Sequence, residues 1–459
     1  MMKKIFLGLR LSLLFSLFLV NSVSATTQDY LMWGLPSEGV MFPVYVYQAG
    51  KQVGFIPSLI SKEFVGEYTK GKTSGSYKLY YKNNENWYAC DFVLSKGSIT
   101  SNSCGAIIVK PTQKKSNVYT LALGGINWNP TSKPKSKPVS PDYSQRAIIF
   151  KNETKYPMIQ IGEGCTTAST NNCQTKPIIA TINQGESYTL KVGLKSLVSS
   201  AFYMSSYCTA GSVAGCGKKP KIKQCNKPPC TTPIPKTPAK NWVYTGGYFV
   251  GQTTYATKIE PTILAIGENN IPVGASNIDV SAVDGYNVSV LVYPATPKYC
   301  TYTIPPEGSS VQGAGYYLKS KPLASIASTM RSLETMCKNS SQLPGEPSKK
   351  ETKWNLEVLS PSDTFEGCMS PCQYATVNNW QNGVTQKNVN QFCCQNSYNT
   401  FQTCIVPSGN LGANTSTYNQ EVTSNFQNVY GFAFGDAGDN YGCPGDASFV
   451  VEFVSVEES

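Results

Sequence analysis

The sequence predicts an all-β, disulfide-stapled chain, and three observations carry that prediction. Tyr numbers 28 while charged residues make up only 15% of the chain, and Tyr, Thr, Val and Ile favour strands. Gly (38) and Pro (29) supply turns between those strands. There are sixteen cysteines and no histidine. An even cysteine count suits full pairing in an oxidising compartment. The missing histidine excludes a Ser-His-Asp triad, a Cys-His pair and a His-ligated zinc site, and full pairing excludes thiolate catalysis. Carboxylates, hydroxyls, phenols and cations are left for chemistry, and neither metal nor cofactor is expected.

The N-terminus comes first in chain order. Lys3 and Lys4 precede an apolar run over 5–20, and Val23-Ser24-Ala25 closes it with small residues. This reads as a cleavable signal peptide over 1–25 of a bacterial type, so the mature protein is expected to be secreted or extracytoplasmic. No later stretch is long and apolar enough to span a membrane. In that setting the Asn-x-Ser/Thr sites at Asn152, Asn287, Asn339 and Asn414 read as ordinary surface residues. The formal charge is +11, of which Lys3, Lys4 and Arg10 leave with the signal. The excess reads first as solubility and second as affinity for an anionic surface. No nucleic-acid motif is recognisable, and a monomer is expected.

Residues 26–130 read as a small separate β domain, with strand-like runs at 44–47, 77–81 and 118–121. Cys90 and Cys104 are its only cysteines and are expected to bond each other across a hairpin. Its aromatics Tyr45, Tyr47, Tyr80, Tyr81, Trp87 and Tyr88 either fill strand faces or offer ring faces to sugars. A linker follows over 131–145. Its first part, TSKPKSKPVSPD (131–142), alternates Pro and Lys and reads as an extended, solvated, semi-rigid spacer.

Beyond the linker, eight segments occur in a telling order: RAIIFKNETKYPMIQIG (146–162), INQGESYTLKV (182–192), SAFYMSSYC (200–208), NIDVSAVDGYNVSVLVYP (277–294), WNLEVLSPSDTFEGCMSPC (354–372), FCCQNSYNTFQTC (392–404), NVYGFAFGDAG (428–438) and CPGDASFVVEF (443–453). In this order they resemble the thaumatin-like protein family over 146–459. The resemblance implies a β-sandwich drawing on 146–300 and roughly 420–459, with a disulfide-rich lobe over about 301–419. It also implies the pairs Cys208–Cys216, Cys225–Cys230, Cys300–Cys443, Cys337–Cys368, Cys372–Cys393 and Cys394–Cys404. Cys165 and Cys173 remain as a local pair. Two family bonds have lost both partners: one would join 152–154 to 451–454, and the other would end near Asn428. Alternation over 278–283 fits a strand buried on one face. Residues 324–336, with Ile326, Met330, Leu333 and Met336 near helical spacing, are the best helical candidate.

The resemblance also implies a cleft between sandwich and lobe, lined by an Arg, a Glu and three Asp and associated with β-1,3-glucan. Asp279 and Asp284 match the strand aspartates, Glu260 matches the glutamate, and Asp436 stands one residue late for the last aspartate. These four are the expected ligand-binding residues, with Glu260 and Asp279 as the catalytic candidates. Glycoside cleavage needs one protonated and one ionised carboxyl. Asp284 before Gly285 also suits a plain turn. The family arginine is absent, since Ala201 and Ser205 stand at its usual places. A cleft without that cation is expected to keep one acid protonated and to bind sugar without efficient hydrolysis. Residues 217–241 add seven lysines among prolines, an extended loop that suits an anionic surface or simple solubility. Three functions follow: a secreted β-glucan-binding protein, a weak endo-β-1,3-glucanase, or a non-catalytic structural or protein-inhibitor module.

Overall fold

Runs of alternating apolar and polar residues dominate the chain, and in the computed structural model they form strands. The structure describes residues 30–34, 44–56, 67–70, 74–83, 85–95, 98–111, 118–154, 158–165, 179–197, 200–209, 242–245, 256–263, 276–296, 298–302, 315–317, 322–326, 328–341, 354–359, 365–377, 385–436, 441–443 and 445–454. The expected signal peptide (1–25) and Lys-rich loop (217–241) lie outside the described residues.

Among the described residues, the N-terminal part carries the strands β1 (Tyr30–Gly34), β2 (Val44–Gln48), β3 (Lys51–Ile56), β4 (Glu67–Lys70), β5 (Gly75–Asn83), β6 (Asn86–Ser95), β7 (Ser98–Asn102), β8 (Gly105–Pro111), β9 (Val118–Ile126) and β10 (Asn129–Thr131). They make a four-stranded sheet, β4-β1-β9-β8, and a six-stranded one, β10-β6-β5-β2-β3 with β7 on β6. Alternation sorts the second sheet. Val44, Val46, Tyr77, Leu79, Tyr81, Cys90, Phe92 and Leu94 form one buried cluster, and Cys90–Cys104 staples it. Tyr45, Tyr47, Phe55, Tyr80 and Trp87 fall on the opposite face by register. Of the six aromatic residues that could either fill strand faces or offer rings to sugars, Tyr47 and Tyr81 are buried and the other four are half-buried. They pack on one another, Tyr47 on Tyr80 at 5.1 Å and Tyr81 on Tyr88 at 4.9 Å between ring centres.

The Pro/Lys linker is not a free spacer. Pro134 is buried while Lys133, Lys135 and Lys137 are exposed. Tyr47 donates its hydroxyl to Ser136 O at 3.0 Å, and the Gln52 amide bonds both Val139 O (2.7 Å) and Val139 N (2.8 Å). The segment is extended, as expected, but its backbone is hydrogen-bonded to the sheet rather than left wholly to water.

Three further sheets follow. Their strands are β11 (Ala147–Glu153), β12 (Met158–Cys165), β13 (Ile179–Asn183), β14 (Ser187–Lys191), β15 (Ser200–Thr209), β16 (Trp242–Thr245), β17 (Lys258–Ile263), β18 (Ser276–Ser281), β19 (Gly285–Tyr286), β20 (Val290–Pro294), β21 (Lys298–Tyr302), β22 (Gly315–Tyr317) and β23 (Ala324–Ile326). Late in the chain come β24 (Glu357–Leu359), β25 (Phe365–Met369), β26 (Val429–Tyr430), β27 (Tyr441–Cys443) and β28 (Phe449–Val454). One sheet runs β14-β11-β28-β20-β23, and the larger runs β13-β12-β15-β17-β18-β27-β21-β22. Their inner faces share one core. Ile148, Phe150, Val292 and Val451 come from the first sheet, and Phe202, Ile259, Ile278 and Val280 from the second. Phe150 and Phe202 meet across it at 5.1 Å, and each buried Phe is worth about 1.5–3 kcal/mol. Buried Arg146 donates to Gly193 O, Lys195 O and Gly445 O, tying the entry of this unit to its closing segment.

The lobe holds short helices: α1 (Met330–Ser340), α2 (Pro371–Val377), α3 (Gln386–Phe392), α4 (Phe401–Cys404) and α5 (Thr417–Asn425). A small β19-β25-β24 sheet lies beside them. The expected helix over 324–336 begins late. Ala324–Ile326 instead pairs with β20, and Thr329 caps α1 by accepting from Ser332 N, so the chain turns helical only from Met330. Strands β21, β22 and β23 join the sandwich although the lobe was expected from 301.

Disulfides Cys300–Cys443, Cys337–Cys368, Cys372–Cys393 and Cys394–Cys404 are formed, with Cys90–Cys104 in the first unit. A left-handed backbone at Cys394 (φ 51°) lets neighbouring Cys393 and Cys394 reach different partners. Cys165 and Cys208 stand on β12 and β15, while Cys173, Cys216, Cys225 and Cys230 lie outside the described residues. Two asparagines expected at the surface are buried. Asn152 is fully covered and donates to Ile182 O, and Asn287 exchanges hydrogen bonds with Thr257.

Candidate functional site

The site grows from two neighbouring strands whose outward residues are polar. On β17, Ile259 and Ile263 enter the core and Lys258, Glu260 and Thr262 take the other face. On β18, Ile278 and Val280 enter the core, and Asn277, Asp279 and Ser281 lie outward. The antiparallel register sets Lys258 opposite Ser281, Glu260 opposite Asp279 and Thr262 opposite Asn277. Directly opposed residues have their Cβ atoms about 4.5–5.5 Å apart, so Glu260 and Asp279 are immediate neighbours.

Asp284 reaches the same place from the turn after β18. Lys258 Nζ stands 3.3 Å from Asp284 Oδ2 and 3.6 Å from Glu260 Oε2. Gln373 of α2 donates to Asp284 Oδ1 at 3.0 Å, which brings the lobe to the sheet. Tyr430 of β26 donates to Glu260 Oε2 at 2.9 Å. Asp284 is therefore engaged through its side chain by a cation and an amide, a more specific role than turn formation.

Burial opposes the charged form of Lys258, but Asp284 and Glu260 outweigh it and hold the ammonium above its ordinary pKa. Burial also pushes the phenols of Tyr203 and Tyr430 upward, with Asp279 and Glu260 adding to the effect at Tyr430. Both phenols stay protonated at neutral pH, and Tyr430 is the donor to Glu260. Tyr203 on β15 is paired with Lys258 across the strands.

Glu260, Asp279 and Asp284 thus come together, with two differences from expectation. Only Glu260 is partly open, its side chain 25% exposed, while Asp279 and Asp284 are buried. The expected loss of the cation is also corrected. Lys258, two residues before Glu260 on the same strand face, puts a charge between two of the acids. Its signal in the sequence was the Lys-x-Glu alternation, which places both side chains together whenever that segment is a strand. The premise for a carboxyl kept protonated by lack of a cation is removed with it. Asp436 is half-buried beyond Gly435. A Cβ on Gly435 would meet Tyr430 Cβ at 3.0 Å, so the turn carrying Asp436 packs against the tyrosine that serves Glu260. Among the described residues, no group of three or more Cys, Asp or Glu side chains is arranged to hold a metal ion.

No curated protein matches the chain. The model of the Thaumatin family matches residues 249–455. Strand β11 lies outside that span yet sits in the middle of its sheet, between β14 and parallel β28, so the same folded unit begins before the match. Over residues 249–455 the chain is similar to the Thaumatin family, and the segment from Arg146 supplies β11 to the same sheets.

Proposed function

We propose that this is a secreted thaumatin-like protein that binds β-1,3-glucan or a related cell-wall polysaccharide at the Glu260–Asp279–Asp284 cluster without hydrolysing it efficiently. The observation that carries the reading is the double engagement of Glu260 Oε2, by the Tyr430 hydroxyl and the Lys258 ammonium. A general acid needs a carboxyl poised at the leaving oxygen. A carboxylate already held by a phenol and a cation is better suited to accept a sugar hydroxyl alongside them. Glu260 is the open member of the set, and Asp279 and Asp284 position its surroundings. Secretion is supported by the signal-like N-terminus and the disulfides. Laminarin pull-down beside reducing-end release tests the proposal. Retention on laminarin with release at background is the expected result. Sugar release that Glu260→Gln abolishes would establish the glucanase instead, and no association with any β-glucan would leave a structural or inhibitory role.

A further inference from the structure

We propose that the β2–β3 face of the N-terminal unit is a receptor for a proline-rich strand, and that the chain's own segment 133–141 is its resident ligand. The face is built for such a strand. Tyr45 pairs with Phe55 and Tyr47 with Gln52 across β2 and β3, and the Tyr45 and Phe55 rings meet at 5.3 Å. Aromatic rings with interspersed donors recognise proline-rich segments, whose carbonyls lack internal partners and whose stiffness lowers the entropy lost on docking. The contacts here follow that logic. Tyr47 donates to Ser136 O at 3.0 Å, and Ser136 donates its hydroxyl to Gly50 O at 3.1 Å. Gln52 reads both backbone groups of Val139, at 2.7 and 2.8 Å. Tyr45 meets the Ser140 hydroxyl at 3.5 Å.

The pattern of exposure agrees. Pro134 is buried, Ser136, Pro138 and Pro141 are half-buried, and Lys133, Lys135 and Lys137 point to water. Lysines that fail to enter the face serve solubility, while the backbone of Ser136 and Val139 takes the hydrogen bonds. The strand leaves β10, which pairs with β6 at the far side of the sheet, and passes across to the β3 edge. Just beyond it, Asp142 accepts from Ser144 N at 3.0 Å and Tyr143 is buried. The segment between the two units is therefore consumed by contacts at both ends.

Two measurements on the oxidised full chain test this. Lys133 and Lys137 precede proline, so Lys135–Ser136 is the one ordinary tryptic bond between Thr131 and Asp142. Tyr47→Phe/Gln52→Ala removes the donors without emptying the ring site, and near-UV circular dichroism checks the fold. Cleavage at Lys135–Ser136 is expected to be at least tenfold faster in the double variant, and equal rates would overturn the docking. The second arm uses a fluorescein-labelled peptide of the 131–142 sequence. A full chain with Pro134→Ser, Pro138→Ser and Val139→Gly should bind it saturably, whereas the parent, filled in cis at high effective concentration, should bind at least tenfold more weakly. Adding Tyr47→Phe/Gln52→Ala should abolish binding. Equal binding to the parent, absence of binding to the strap variant, or equal binding of a peptide with serine for every proline would overturn the receptor.

Discussion

Lys258 is the residue on which the acidic cluster depends. Its side chain is only 9% exposed and stands within 4 Å of two carboxylates. Removing one member of a buried ion pair leaves the other charges uncompensated, which costs about 3–5 kcal/mol. Lys258→Met is therefore expected to lower unfolding stability by about that amount, read from urea denaturation midpoints. Adding Asp284→Asn should recover part of the loss, because the stranded charge is then gone. Tyr430→Phe should cost about 1.5–3 kcal/mol through its bond to a charged acceptor, with a larger effect on laminarin retention than a distant phenol such as Tyr293 would give. The acids themselves were legible in the sequence, Glu260 through the family resemblance and Asp279 also through the alternation that puts it off the core. The role of Lys258 is hidden in the sequence because the resemblance implies an arginine on β15, where Ala201 and Ser205 stand. A cation on the adjacent strand satisfies the same electrostatic need, and resemblance to a motif does not reveal that exchange.

At the level of elements, caps and staples govern the lobe. Thr329 accepts from Ser332 N at 3.0 Å and so ends the β23 segment and starts α1. Thr329→Ala should destabilise the chain by about 1 kcal/mol, seen as a shift in denaturant midpoint at unchanged slope. Hydrophobic spacing alone extended this helix back to 324, since Ile326 fits both a helical stripe and a strand pairing with Val290. Tertiary pairing decided between them. The Pro/Lys segment shows the same limit: composition gave its lack of helix, but only the tyrosine and glutamine of β2 and β3 reveal that it is docked. The helices α2, α3 and α4 have four to seven residues each, too few to be stable alone. Cys337–Cys368, Cys372–Cys393 and Cys394–Cys404 fix them. Under mild reductant, amide exchange is expected to rise first over 371–404 while β11, β20 and β28 stay protected. Simultaneous exposure of both regions would show that the sandwich needs those bonds as well.

For the whole molecule, the buried phenols and Lys258 make stability depend on pH in one direction. Tyr203, Tyr430 and Lys258 all have folded-state pKa values raised above their ordinary ones, by burial at the phenols and by Asp284 and Glu260 at the lysine. Tyr286 and Tyr418 are raised by burial too. Each group thus holds its proton more tightly folded than unfolded. Below about pH 10, the ordinary range for phenol and ammonium, both states are protonated and the stabilising contribution is complete. Above it the unfolded chain loses protons first and binds fewer than the folded one, so unfolding free energy falls with further pH increase. Urea midpoints should therefore be level in this respect from pH 8 to about 10 and drop steadily beyond. The drop should be shallower in Tyr430→Phe, which has one fewer proton to lose on unfolding. A midpoint that stays level or climbs between pH 10 and 11.5, with the disulfides intact by mass, would mean that these groups are open to solvent and that the cluster around Glu260 is not closed as described.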